Sequence, residues 1–246
     1  MTGVQTCALP DLFLRALQLF QHSSLYYSAA GVRDGIISDL AARGAGREFS
    51  RLNREQRRVV EQMAKRYGVQ VDHARKVASL GQTLFEALTS LHKLPPGHGK
   101  MLEAAAYLHD IGHFVSDTGH HKHSYYIVLN SDLPGFTDSE RHFIAALCRY
   151  HRKNMPAPKH AAYDLMDPET RRGLTMLSPL LRLADSLDRG HEQRVNGMQV
   201  EVRNGNVVVS LESEDGANLE LWAAERMADL FREVYQTPLI LAKASA

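Results

Sequence analysis

The sequence predicts a mainly α protein, a helical bundle over residues 48–195 followed by a small α/β cap over 196–246. Three observations carry this. About six segments beyond residue 50 repeat apolar residues at helical spacing. One stretch alternates apolar and polar residues on both sides of Asn204-Gly205, the strongest short hairpin signal. Finally, 246 residues that are 44% hydrophobic suffice for a substantial core.

Taken in order, MTGVQTCALP (1–10) has no periodicity and reads as translated adapter read-through fused in frame, outside fold reasoning. Residues 11–43 form a stub. DLFLRALQLFQ is an amphipathic helix with Leu12, Ala16, Leu19 and Phe20 on one face. SLYYSAA is strand-like, Gly31 to Gly35 make a turn, and IISDLAAR opens another helix. This is the tail of an α/β unit, too small to bury a sheet by itself. GAGRE (44–48) is a linker.

NREQRRVVEQMAKRYG (53–68) is amphipathic and closed by Gly68. Asp72 is placed to cap VDHARKVASLGQTLFEAL, where Val77, Leu80, Leu84 and Leu88 recur at helical spacing. Pro95-Pro96 interrupts, and GKMLEAAAYLHDIG (99–112) follows. The helical set ends with HSYYIVLNS, TDSERHFIAALCRYHRK and LSPLLRLADSLDR; Thr137 and Glu140 make a capping box in the second of these. In the cap, LELWAAERMADLFREVY (219–235) reads as one helix and PLILAK as a third strand. Trp222, with Leu219 and Met227, is assigned to the cap's core, and Cys148 reads as a buried thiol.

Charge excludes little, since the net is +1. No specific DNA binding is expected. No run of eighteen apolar residues spans a membrane, and the opening has no secretory pattern, so the expected location is cytoplasmic. Two cysteines make neither a disulfide scaffold nor a thiolate zinc site. Residues 43–76 carry ten Lys or Arg against four acids. That stretch could guide a polyanion, but Arg and Glu interleave and a solvated helix face is the preferred reading.

Thirteen histidines are the anomaly. His73, His109, Asp110, His123, His151 and Asp185 occupy five helical segments, so only a bundle can bring them together. Imidazoles plus carboxylates without thiolate suit an octahedral N/O ion: Mn, Fe, Co or Mg. Such an ion makes hydroxide available at neutral pH. One or two ions are expected, and if two bind, Asp110 is the bridging candidate. His120 and His121, after a glycine, read as loop residues that can contact phosphate. Arg149, Arg152 and Lys153 flank His151 and can steady phosphoryl charge. His22, His92, His98, His142, His160 and His191 carry no pattern.

His73…His109-Asp110…Asp185 is similar to the H…HD…D pattern of HD-domain metal-dependent phosphohydrolases. The longer string LHDIGHFVSDTGHHKHSYYIVLNSDLPGFTDSERHFIAALCRYHRK, continued by LLRLADSLDR, resembles the C-terminal HD region of the Ppx/GppA exopolyphosphatase family. The resemblance covers residues 11–246. It implies an HD-type bundle over 48–195 and makes residues 11–43 the remnant of an actin-like phosphatase domain pair. The chain is then a fragment lacking the domains that hold the family's polyphosphate-cleaving site.

The resemblance implies a metal-dependent phosphohydrolase acting on polyphosphate, a guanosine polyphosphate or another phosphorylated nucleotide, in an assembly that allows a homodimer. Asp110 and His113 are the catalytic candidates. His113 stands where many HD enzymes carry a lysine, and it can serve there as a proton donor only as imidazolium. The alternative is a non-catalytic module for polyphosphate binding or dimerisation.

Overall fold

The structure, a computed structural model, describes residues 50–243 except 159, 161–162, 164–165 and 214–216, together with 14–15 and 17–19. Residues 14–15 and 17–19 are helical, within the first helix read from the sequence. The leader, the SLYYSAA strand, the turn and helix after it, and the GAGRE linker lie outside the described residues.

Helix α1 (Arg54–Arg66) begins at Asn53, whose side chain and that of Gln56 cap each other's backbone N–H. The chain turns at Gly68, φ +73°. Helix α2 (Val71–Ala87) starts from Gln70, so Asp72 is not its cap. The aspartate sits in the first turn, where its charge still favours the helix N-terminus. A single turn, α3 (Thr89–His92), leads to Pro95-Pro96 and α4 (Gly97–Leu108).

Helix α4 is buried on nearly every side, including Ala104, Ala105 and Ala106. Its second half, Ala104 to Leu108, is apolar all round, as befits a segment at the centre of a fold. Its small residues let α1, α2, α6 (Asp138–Tyr150) and α7 (Pro168–Ser186) pack around it. A short 3₁₀ turn (Ile111–Phe114) then leads to α5 (His120–Leu129), which packs on that turn and on α6. The Thr137–Glu140 capping box forms as read from the sequence. Helix α7 extends further toward the N-terminus than LSPLLRLADSLDR: Asp167 caps it by accepting from the Thr170 N–H, and Pro168 follows at its first position.

The rest is a small α/β unit. Strands β1 (Gly197–Arg203) and β2 (Asn206–Glu212) pair antiparallel from Gly197↔Glu212 to Arg203↔Asn206. Asn204 and Gly205 both hold positive φ, 51° and 74°, as a two-residue turn twisting with its strands requires. Strand β3 (Leu239–Lys243) joins β2 in parallel, giving the order β1-β2-β3. The crossover contains two helices, α8 (Asn218–Glu225) and α9 (Ala228–Tyr235), and not one. Both pack on α7, and the Tyr235 hydroxyl donates to the Met176 carbonyl at 2.7 Å.

That break corrects one expectation. Trp222 is 55% exposed and Leu219 48%, while Glu220, Ala223 and Ala224 of the same helix are buried. Of the stripe expected in the core, Leu219 and Trp222 thus face outward, while Met227 is partly buried against the core. Cys148 is buried as read, and burial pushes its thiol well above the usual range. Within the described residues, the basic stretch pairs its arginines with acids: Arg51 with Glu86, Arg57 with Glu103 and Arg75 with Glu61.

Candidate metal centre

Three helices end at one place. His109 follows the last residue of α4, His151 follows the last of α6, and Asp185 lies in the final turn of α7. Helix C-termini carry partial negative charge, and two carboxylates, Asp110 and Asp185, are added there. Helix α2 contributes His73 and α5 contributes His120, each from its first turn. The result is an electronegative corner lined with imidazoles.

The tautomers follow from what each Nδ1 touches. His73 Nδ1 lies 2.9 Å from Asp188 Oδ2, His109 Nδ1 2.9 Å from the Ala106 carbonyl, and His151 Nδ1 2.7 Å from the Cys148 carbonyl. Those oxygens can only accept, so each Nδ1 donates and each Nε2 is left to face the corner. Nε2 of His73 and Nε2 of His109 are buried without a hydrogen-bond partner. Orphaned buried nitrogens are costly unless something binds them, and a cation fits this set.

Asp110 divides the corner. Its Oδ2 faces His109 Nε2 at 3.4 Å and His73 Nε2 at 4.0 Å. Asp185 Oδ1 joins the same side, 3.4 Å from His73 Nε2 and 3.5 Å from His109 Nε2. The other oxygen of Asp110, Oδ1, faces His120 Nε2 at 3.5 Å and His151 Nε2 at 3.7 Å. Three groups therefore have ligand atoms close enough to share an ion: His73, His109 and Asp185; Asp110, His120 and His151; and His73, Asp110 and His191.

Electrostatics agree with a cation deficit. Burial disfavours the His109 imidazolium, but Asp110 and Asp185 outweigh it and its pKa is raised to about 9. His73 is burdened by burial yet raised by Asp185 and Asp188. Burial and the charge of His109 hold His151 down to about 3. Burial pushes Asp185 up, but His109 and His73 carry it well below the usual carboxylate range.

A cavity of about 570 Å³ opens on this corner. Asp110, His113, His120, His151, Arg152, Lys153, Asp185 and His191 line it, and Trp222 and Arg226 of the α/β unit form another part of its wall. His113 Nδ1 donates to Asp117 Oδ1 at 2.7 Å, and its Nε2 lies 3.6 Å from Asp110 Oδ1. Arg182 is buried and donates to three carbonyls, those of Tyr150, Lys153 and Asn154. It thereby fixes the turn that carries His151, including Lys153 at φ +63°.

The grouping differs from the sequence reading in several places. His123 is half-buried and belongs to none of the three groups, because α5 begins at His120 and turns His120 to the corner. His120 is not a loop residue but a buried helical one. His121 is buried away from the cavity, and burial together with Arg149 lowers it to about 4. Arg149 does not line the cavity, whereas Arg152 and Lys153 do. His191, read as unpatterned, stacks on His73 with ring centroids 3.7 Å apart. Asp188 was also missed, although it sits in the string LLRLADSLDR, three residues beyond Asp185.

The protein-family description "Ppx/GppA phosphatase, domain III" matches residues 56–226, well over half of the chain. Among curated relatives, a guanosine-5'-triphosphate,3'-diphosphate pyrophosphatase of Aliivibrio fischeri is 32% identical over 163 residues, covering 65% of this chain and 31% of its own length. One of the same name from Vibrio atlanticus is 28% identical over 146 residues, 59% of this chain and 28% of its own length. A third, from Pseudoalteromonas translucida, is 34% identical over 100 residues, 40% of this chain and 20% of its own. The chain thus spans about three tenths of the length of the first two. With the family match running from α1 into the α/β unit, this chain belongs to the Ppx/GppA phosphatase family.

Proposed function

We propose that the chain is an HD-type, metal-dependent phosphohydrolase module acting on phosphoanhydride or phosphoester bonds. The observation that carries this is Asp110, one carboxylate with an oxygen toward each of two histidine sets. His73, His109 and Asp185 would hold one divalent ion, and Asp110, His120 and His151 a second, with His191 beside them. Bound there, Mn, Fe, Co or Mg would supply a hydroxide at neutral pH and screen phosphoryl charge.

The remaining work falls to the chain's own groups. Arg152 and Lys153 are placed to bind and orient phosphoryl oxygens. His113, whose Nδ1–H is committed to Asp117, holds Nε2 for proton transfer at the cavity mouth. The relatives' name points to a guanosine polyphosphate as substrate, and a polyphosphate chain presents the same anhydride.

Elemental analysis of purified protein beside Asp110→Ala tests the reading. The expected result is one or two equivalents of metal, lost in the variant together with hydrolysis of guanosine polyphosphate and tripolyphosphate. Protein that stays metal-free after reconstitution would overturn it and leave a non-catalytic binding module.

A further inference from the structure

We propose that Trp222 is a base-stacking platform, so that the cavity's ligand is a nucleoside phosphate and not a bare phosphate chain. This deepens the phosphohydrolase reading and rests on it for the position of the phosphates.

Trp222 is the chain's single tryptophan. It stands 55% exposed on α8, although α8 buries its neighbours Ala223 and Ala224 against the fold. Large aromatic rings are mostly buried, and one left open on a cavity wall offers a flat apolar face to a ligand. The ring is also held: the Arg226 guanidinium carbon lies 5.0 Å from its centroid, a cation–π contact covering one face. Beside it, Ala223 and Met227 continue an apolar floor in the same cavity.

The cavity therefore has two chemistries. Asp110 and its histidines, with Arg152 nearby, suit phosphoryl groups. Trp222 and its floor have nothing to offer a bare phosphate chain, which recognises only cations and donors. A cavity of about 570 Å³ lies within the ordinary range for small-molecule sites. A ligand joining an aromatic base to a phosphate tail uses both parts of the wall. Base–aromatic stacking tightens binding about tenfold to a hundredfold.

Because Trp222 is the only tryptophan, its fluorescence reports the platform directly. GDP with Mg²⁺ is expected to quench it saturably. Inorganic tripolyphosphate is expected to compete GDP away without quenching. Calorimetry on Trp222→Leu should show GDP binding weakened about tenfold or more, with tripolyphosphate affinity unchanged and Trp222→Phe recovering most of the loss.

Absence of quenching at millimolar GDP, equal quenching by tripolyphosphate, or equal weakening of both ligands in Trp222→Leu would each overturn the proposal. The two readings fail separately. Metal-loaded protein that ignores GDP removes the platform and keeps the hydrolase. Metal-free protein still quenched by GDP keeps the platform and removes the hydrolase.

Discussion

The buried carboxylate of Asp188 accepts the Nδ1 proton of His73 at 2.9 Å while its other oxygen accepts the Gln193 N–H at 2.8 Å. Asp188 thus turns the His73 ring and fixes its tautomer. Asp188→Ala should lower metal affinity about tenfold to a hundredfold and cost about 1–3 kcal/mol of stability from unpaired donors. Asp188→Asn, which retains an acceptor, should lose less of both. Metal titration and urea unfolding of the two variants check this.

Gly112 permits a close crossing. A Cβ there would lie 2.0 Å from the His120 carbonyl and 2.5 Å from the Ser124 nitrogen. Ser124 Oγ also accepts the Gly112 N–H and donates to the His109 carbonyl, so the turn after Asp110 is fastened to α5. Gly112→Ala should push the two apart, destabilise by about 3 kcal/mol and separate Asp110 from His120. A thermal melt with and without added Mn²⁺ should show a lower Tm and a smaller metal-induced rise.

Removing Arg182 should unfasten the His151 turn. The guanidinium satisfies three carbonyls, and burial lowers its pKa only to about 10, so it stays charged. Arg182→Met should cost about 3 kcal/mol, measured by urea unfolding. Metal affinity should fall at the Asp110–His120–His151 set more than at the His73–His109–Asp185 set, as read by stoichiometry.

Metal uptake should depend on pH with a defined sign. Without an ion, the carboxylates keep His109 protonated up to about 9. Binding must displace that proton, so affinity should rise about tenfold per pH unit from 7 toward 9 and level off above. His151, held down to about 3, releases none in that window. Calorimetry in buffers of different ionisation enthalpy should count at least one proton released at neutral pH as the His73–His109–Asp185 set fills, His109 supplying it and His73, also raised by its carboxylates, adding to it.

Much of this was legible in sequence because local rules governed it. The Thr137–Glu140 box, the Asn204-Gly205 turn and the mainly α class follow from neighbours in the chain. The expectation that His73, His109, Asp110, His151 and Asp185 belong together came from residue type and order joined to the H…HD…D resemblance. What escaped depended on packing. A start of α5 at His120, and not at His123, exchanges which imidazole meets Asp110. His191 joins His73 across more than a hundred residues, through a ring stack that no periodicity encodes. Trp222 lines the cavity instead of filling the core, and nothing in the helical pattern from 219 to 235 marks the break that divides α8 from α9.

The residues of the corner run from His73 to His191 and enter it from separate helices and turns. No two consecutive helices contain a working set, and Asp185 and Asp188 come near the end of the bundle. During synthesis, then, α1 to α6 can emerge and collapse while His73 still lacks both carboxylates that fix and face it. Capture of an ion by the His73–His109–Asp185 set would then be a late event in folding, because a chain stalled before α7 holds only the Asp110–His120–His151 set.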